Sequence, residues 1–394
     1  MPTDATFLLA ALFLVFGALG FVYKIFTDRD RDLPPRISAD YLRGLNLVLN
    51  RRTDEALELF VQMAKVDDDT LETHFALGHL FRRRGEFERA IRVHENLLAR
   101  PSLSEAQRHQ AVFSLAEDYL GAGLFDRAEQ LFSELRDSST LAAAALDKLV
   151  GIYEREQDWH KAIEALRKLE MLRGTKSNQV AQYYCELAEA ARAAGDRELA
   201  REYLRNTVRS ESGALRGALI RAALAQEDRD YTQAIALYEQ VISTNQHFIT
   251  EVLPSLLECY RAMNRVAEFD AYLGTLIARD DSLHKNLAYA AIIANLGGSA
   301  ALSRLVERFV FEHPVLANLV NAGELKNLPA EQRGSAIERI ASGLRTIALA
   351  NARYRCSNCG YSTQRFIWHC PSCKLWETIR PISSVPLETV LNPP

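Results

Sequence analysis

Six alanines mark the chain at near-constant intervals. Ala56, Ala90, Ala128, Ala162, Ala200 and Ala234 stand 34, 38, 34, 38 and 34 residues apart. Four residues after each comes a larger side chain: Phe60, His94, Phe132, Leu166, Leu204 and Tyr238. Residues four apart share one face of a helix. The pattern therefore puts a small residue where two helices cross and a bulky one in the space beside it. Further small residues with apolar neighbours lie upstream, as in Leu77-Gly78 with Phe81, Leu115-Ala116 with Tyr119, and Leu187-Ala188. Turn residues divide each helical pair at Arg84-Gly85-Glu86, Ala122-Gly123-Leu124, Gln157-Asp158 and Ala194-Gly195-Asp196. Only 12 prolines and 19 glycines occur in 394 residues, as helix-forming chemistry requires. Such a period commits most of the chain to an all-α repeat, each hairpin burying its faces against its neighbours. The longer intervals place four extra residues near 101–105 and 174–178, between helical pairs, where insertions are tolerated.

A 34-residue helix–turn–helix unit resembles the tetratricopeptide repeat. The clearest copy is LGHLFRRRGEFERAIRVHENLL, residues 77–98. The likeness covers about residues 37–270, and a weaker helical pair at 282–312 ends at Pro314. An irregular α-solenoid of another type is the alternative. The resemblance implies a groove, lined by the first helices, that binds peptides or proteins. Some relatives clamp C-terminal carboxylates with Lys and Asn; Tyr41 and Leu45 stand at the matching places here, against that ligand.

Near the end the composition changes. Residues 356–373 read CSNCGYSTQRFIWHCPSC, so four of the six cysteines fall within 18 residues, as two Cys-x-x-Cys pairs. Gly360 after the first pair and Pro371 inside the second suit tight turns. Four thiolates from Cys356, Cys359, Cys370 and Cys373 suffice for one tetrahedral ion, iron or zinc. Two disulfides or a redox dithiol are the competing readings. His369 adjoins Cys370 as a substitute ligand, although four cysteines already fill the site. The segments resemble rubredoxin and zinc-ribbon knuckles, except that Lys374 stands where rubredoxins usually carry Gly. Residues 331–354 form a connecting amphipathic helix with Ile337, Ile340, Leu344, Ile347 and Leu349 near helical spacing. Phe366, Ile367, Trp368, Leu375 and Trp376 suggest a ribbon hairpin. So small a module has little core of its own, and metal ligation contributes much of its folding energy. Its aromatics exceed its internal needs, and no Gly/Ser-rich linker precedes it. We expect Phe366, Trp368 and Trp376 to pack on the last helices, making the module a lid and not a tethered finger.

Residues 7–23 (FLLAALFLVFGALGFVY) hold 17 residues without a charge, the lower limit for a membrane span; Lys24 can snorkel so that Ile25 and Phe26 extend it. A cleaved signal fits less well, because Asp4 precedes the segment and no Lys or Arg does. Lys24, Arg29, Arg31 and Arg36 follow it, which places the body on the cytoplasmic side. Reduced cysteines agree with that compartment. The expected organisation is an anchor at 1–26, a charged linker at 27–36, the array at 37–330, the connecting helix at 331–354 and the metal module at 355–394.

With 47 basic and 51 acidic residues, the net charge of −4 gives no nucleic-acid footprint. No His-Glu-x-x-His, Gly-x-Ser-x-Gly or phosphate loop occurs, so no catalytic centre is expected. His74 and His79 read as surface or packing residues, Cys185 and Cys259 as buried thiols, 67–69 (Asp-Asp-Asp) as a solvated helix end, and 82–84 (Arg-Arg-Arg) as a solvated face or, less simply, a lipid-surface patch.

An anchor, a tetratricopeptide array and a C-terminal tetrathiolate, in that order, resemble the lipopolysaccharide assembly protein B family of Gram-negative inner membranes. The resemblance implies a non-enzymatic adaptor, N-terminus periplasmic and body cytoplasmic. Such an adaptor works with the membrane protease FtsH to promote degradation of the UDP-acyl-N-acetylglucosamine deacetylase of lipid A synthesis. It also implies a membrane partner that relieves this activity. Homo-oligomerisation stays open. A rubredoxin-like electron carrier or redox switch on a helical scaffold is the competing function.

Overall fold

The structure, a computed structural model, describes residues 39–382 apart from 51, 67–70 and 208–213. The expected anchor at 7–23, the linker at 27–36 and the 67–69 run lie outside the described residues. Among the described residues no helix is long and apolar enough to cross a membrane.

Helices follow one another in antiparallel pairs: α1 (Ala39–Leu49) and α2 (Thr53–Val66), α3 (Leu71–Arg83) and α4 (Phe87–Leu98), α5 (Glu105–Gly121) and α6 (Phe125–Glu134), α7 (Ala142–Glu156) and α8 (Trp159–Arg173), α9 (Gln179–Ala193) and α10 (Arg197–Arg205), α11 (Ala214–Glu227) and α12 (Tyr231–Thr244). A 3-10 turn (Gln246–Phe248) leads to α13 (Ile249–Ala262), α14 (Val266–Arg279), α15 (Leu283–Ala294) and α16 (Ala300–Glu312). Short α17 (Pro314–Leu319) and α18 (Ala322–Asn327) precede α19 (Ala330–Ala350). Three short strands close the chain: β1 (Tyr354–Cys356), β2 (Ser362–Thr363) and β3 (Ile379–Pro381). The chain divides into two units, one up to Ile152 and one from Tyr153.

The repeat is built as its spacing requires. All six alanines are fully buried, and so are the bulky partners four residues on. In the first unit Ala56, Phe60, Leu77, Leu80, Phe81 and Ala90 form one cluster. Gly78 must be small there, because a Cβ would run into the His94 ring. In the second unit one cluster runs from Ala218 to Ala348, with Leu253, Leu257, Phe269, Leu287 and Leu302 among its buried members. The turns inside the hairpins need left-handed backbone. Gly85, Gly123 and Gly195 supply it at φ 77°, 78° and 83°, and Gln157, Arg229 and Asn264 take the same place at 58°, 63° and 55°. Asp158, Asp196 and Asp230 then cap the next helices by accepting from the N–H of Lys161, Leu199 and Gln233. At the two longer intervals Ser104 and Gln107 form a reciprocal capping box on α5, and Gly174 ends α8 in the left-handed region.

Several expectations change. Pro314 stops one helix but also opens the next, as the first residue of α17, where its missing N–H is harmless. Leu349 is 41% exposed; Ala348, four residues after buried Leu344, takes its inward place. Residues 366–368 are not a strand. The sheet has order β2-β1-β3, antiparallel throughout, with Tyr354 opposite both Thr363 and Pro381 and Cys356 opposite Ile379. The 82–84 arginines are not one solvated face: Arg82 reaches Glu117 and Asp118, Arg84 reaches Asp54 and Glu86, and Arg83 lines an apolar groove.

Candidate metal centre

The two Cys-x-x-Cys segments fold into matching loops. In the first, Cys356 N–H donates to Tyr361 O and Gly360 N–H to Cys356 O; in the second, Cys370 N–H donates to Leu375 O and Lys374 N–H to Cys370 O. The residue after each second cysteine adopts left-handed backbone, Gly360 at φ 78° and Lys374 at φ 59°. The lysine thus takes the conformation of the glycine it replaces. A single sheet carries Cys356 at the end of β1, and the His369–Trp376 bridge brackets the second loop.

These loops bring four sulfurs together. Cys356 and Cys373 Sγ are 3.7 Å apart, as are Cys359 and Cys370, and all four lie within 4.8 Å of one another. A tetrahedron with metal–sulfur bonds of about 2.3 Å has edges of about 3.8 Å. The donor set therefore fits one ion. Disulfides do not fit, since a bonded pair would be about 2.05 Å apart. Thr378 Oγ1 lies 3.3 Å from Cys356 Sγ and holds that thiol down to about 6, towards the thiolate a metal needs; burial pushes Cys370 up to about 11. Cys356 and Cys370 are buried and Cys359 is exposed, so the site opens on one side. His369 is turned to other work: its ring stacks on Trp376, and its Nε2 lies 3.0 Å from Lys374 O.

The module docks, but not on the last helices. Trp376 packs edge-on against Trp159 of α8 and Tyr183 of α9, and its Nε1–H donates to Glu154 at 3.1 Å. Trp368 stacks on Phe248 at 5.7 Å and 10°, with Phe366 edge-on to both. Tyr354 donates to Glu251 of α13 at 2.9 Å, and Gln182 donates to Glu377 at 2.8 Å. At the centre is Arg216, only 1% exposed. Its guanidinium lies 5.4 Å from the Trp368 ring and 5.9 Å from the Trp376 ring, and it pairs with Glu186 and Glu189. Sequence reasoning missed Arg216, Trp159, Tyr183 and Glu154. A signal existed in α11, whose sequence ALRGALIRAALAQE holds two arginines in an otherwise apolar helix.

Other candidate residues fall elsewhere. Cys185 and Cys259 are buried, and burial pushes them up to about 12 and about 11, so both stay protonated thiols near neutrality. His79 is half-buried beside His94, which pairs in the core with Asp118; Arg100 reaches His74. Tyr41 and Leu45 line a groove of about 450 Å³ with Val48, Phe75 and Leu80.

Comparison with known proteins agrees with this architecture. Residues 354–381 match the family described as a rubredoxin metal binding domain, and residues 73–106, 113–175 and 185–247 match tetratricopeptide repeat families. Lipopolysaccharide assembly protein B of Escherichia coli (strain K12) is 33% identical over 363 residues, 89% of this chain and 91% of that protein. Its counterpart in Haemophilus influenzae is 31% identical over 373 residues, 91% and 92% respectively. The solved structure of Naa15/Naa10 bound to HypK-THB is 16% identical, with a TM-score of 0.48, covering 84% of this chain and 52% of that one. Array and metal module match their relatives in one continuous alignment, and the chain belongs to the lipopolysaccharide assembly protein B family.

Proposed function

We propose that this chain is a membrane-anchored, non-enzymatic adaptor in lipopolysaccharide assembly. It presents the lipid A pathway deacetylase to the protease FtsH and is relieved by a membrane regulatory partner. The observation that carries this reading is the family match over about nine-tenths of the chain, array and ribbon together. In this reading residues 7–23 span the inner membrane with the N-terminus periplasmic. Cys356, Cys359, Cys370 and Cys373 hold one iron or zinc ion. The ion supplies cohesion to the ribbon, and the helical hairpins supply the client surface. Anchoring confines that surface to the bilayer and raises the effective concentration of client near protease.

The test is crosslinking in cells followed by recovery of the full chain. Recovery of both FtsH and the deacetylase is the expected result, with a longer deacetylase lifetime when the chain is depleted. An unchanged lifetime on depletion overturns the proposal. Loading the protein with zinc or with iron separates this reading from electron transfer. Equal regulation with either metal is expected of a structural site, whereas loss with zinc is what an electron carrier requires.

A further inference from the structure

Helices α10 and α11 enclose a second polar site, away from the four cysteines. A cavity of about 520 Å³ is lined by Glu198, Arg201, Leu204, Arg205 and Arg221. Arg201 and Arg205 are four apart on α10 and share one face; Arg221 comes from α11. Arg201 is already partnered, by Glu198 and by Asp228, which Arg197 also holds. The other two differ. Among the described residues no carboxylate pairs with Arg205 or Arg221. Arg205 is exposed, but Arg221 is half-buried, and its Nη1 is buried with no hydrogen-bond partner. Burial pushes its pKa down, and the only influence opposing this is the Cys185 thiol. Arg216, five residues earlier on the same helix, has two glutamates on its guanidinium. A half-buried cation without a counter-charge is costly and calls for an anion.

The geometry points to a binding site for a phosphorylated, sugar-sized anion, held by Arg205 and Arg221 with Arg201 beside them. Guanidinium forks match phosphate oxygens in bidentate geometry, which a carboxylate-free pocket leaves open. The cavity holds far more than one phosphate, and Glu198 on its rim, with its side chain 85% exposed, offers an acceptor for hydroxyl groups. A free sugar phosphate and a lipid headgroup share this chemistry.

Isothermal titration of the full chain in neutral detergent, with glucose 1-phosphate and with glucose, tests the site. Binding of the phosphate ester but not of glucose is expected. Arg205→Gln and Arg221→Gln should each weaken it by about tenfold or more, the scale of one charge-assisted contact. Arg89→Gln, a distant exposed arginine, should leave it unchanged. Displacement by phosphatidic acid added to the micelles assigns the site to a lipid headgroup, and persistence assigns it to a free ester. No heat of binding, or equal binding by the Arg205→Gln and Arg221→Gln variants, overturns the proposal. Weakening by Arg89→Gln to the same degree also overturns it, as non-specific charge attraction. Arg205 is exposed, so its variant keeps the test valid even if Arg221→Gln folds poorly.

Discussion

Lys374 shows how a local rule bends without breaking. Its left-handed backbone is one that side chains with a Cβ enter at a cost of about 1–2 kcal/mol and glycine enters freely. Lys374→Gly should therefore raise the stability of the ribbon by about 1 kcal/mol, read as slower amide exchange of the Cys370 and Lys374 N–H groups. Unchanged or faster exchange would show that the lysine conformation is not strained. Glu377, three residues on, carries a different load. Burial in the dock raises its pKa, only partly offset by Gln182, Arg380 and Arg216. A carboxyl group whose folded pKa is raised contributes stability below its unfolded value and loses it as pH rises through the folded one. The dock should weaken accordingly as pH rises from the acid side. Glu377→Gln, which mimics the protonated form, should gain melting temperature over the parent increasingly between about pH 5 and about pH 8. A pH-independent difference would contradict that sign.

At the scale of elements, the ribbon is held by one buried cation between two indoles. Replacing one partner of a buried ion pair costs roughly 3 kcal/mol. Arg216→Met keeps the volume but strands Glu186 and Glu189 and removes both cation–π contacts. It should undock the ribbon, seen as a red shift in Trp368 and Trp376 fluorescence, with helical circular dichroism largely retained. Unshifted emission would mean that the aromatic stack on Trp159, Tyr183 and Phe248 suffices alone. The dock was only half legible beforehand. Surplus aromatics in 366–376 signalled that the ribbon must cover something, because three large rings exceed the interior of so small a sheet. Which helices they cover was not legible: their partners are 120 to more than 200 residues away in sequence, and no periodicity reaches that far.

Across the whole molecule, helical hairpins and metal ribbon draw stability from different sources. The hairpins bury alanine and aromatic faces against their neighbours; the ribbon has four fully buried side chains of its own, two of them cysteines. Chelation of the bound ion, or Cys356→Ser with Cys373→Ser, should melt the ribbon and release its tryptophans while the helix signal stays. Loss of the helices along with the ribbon would mean that the dock stabilises the second unit as much as the reverse. The sequence by itself determined the repeat, because a 34-residue period admits only a helical hairpin with a small residue at each crossing. It also determined the tetrathiolate, because two Cys-x-x-Cys turns at close range leave four sulfurs one place to meet. Local geometry settles both. Only the tertiary structure decided that the ribbon sits on α8, α9, α11 and the turn at Phe248, that Arg216 is paired while Arg221 is not, and that His369 faces Trp376. Those outcomes depend on which distant surfaces exclude water together, and that is a property of the packed chain.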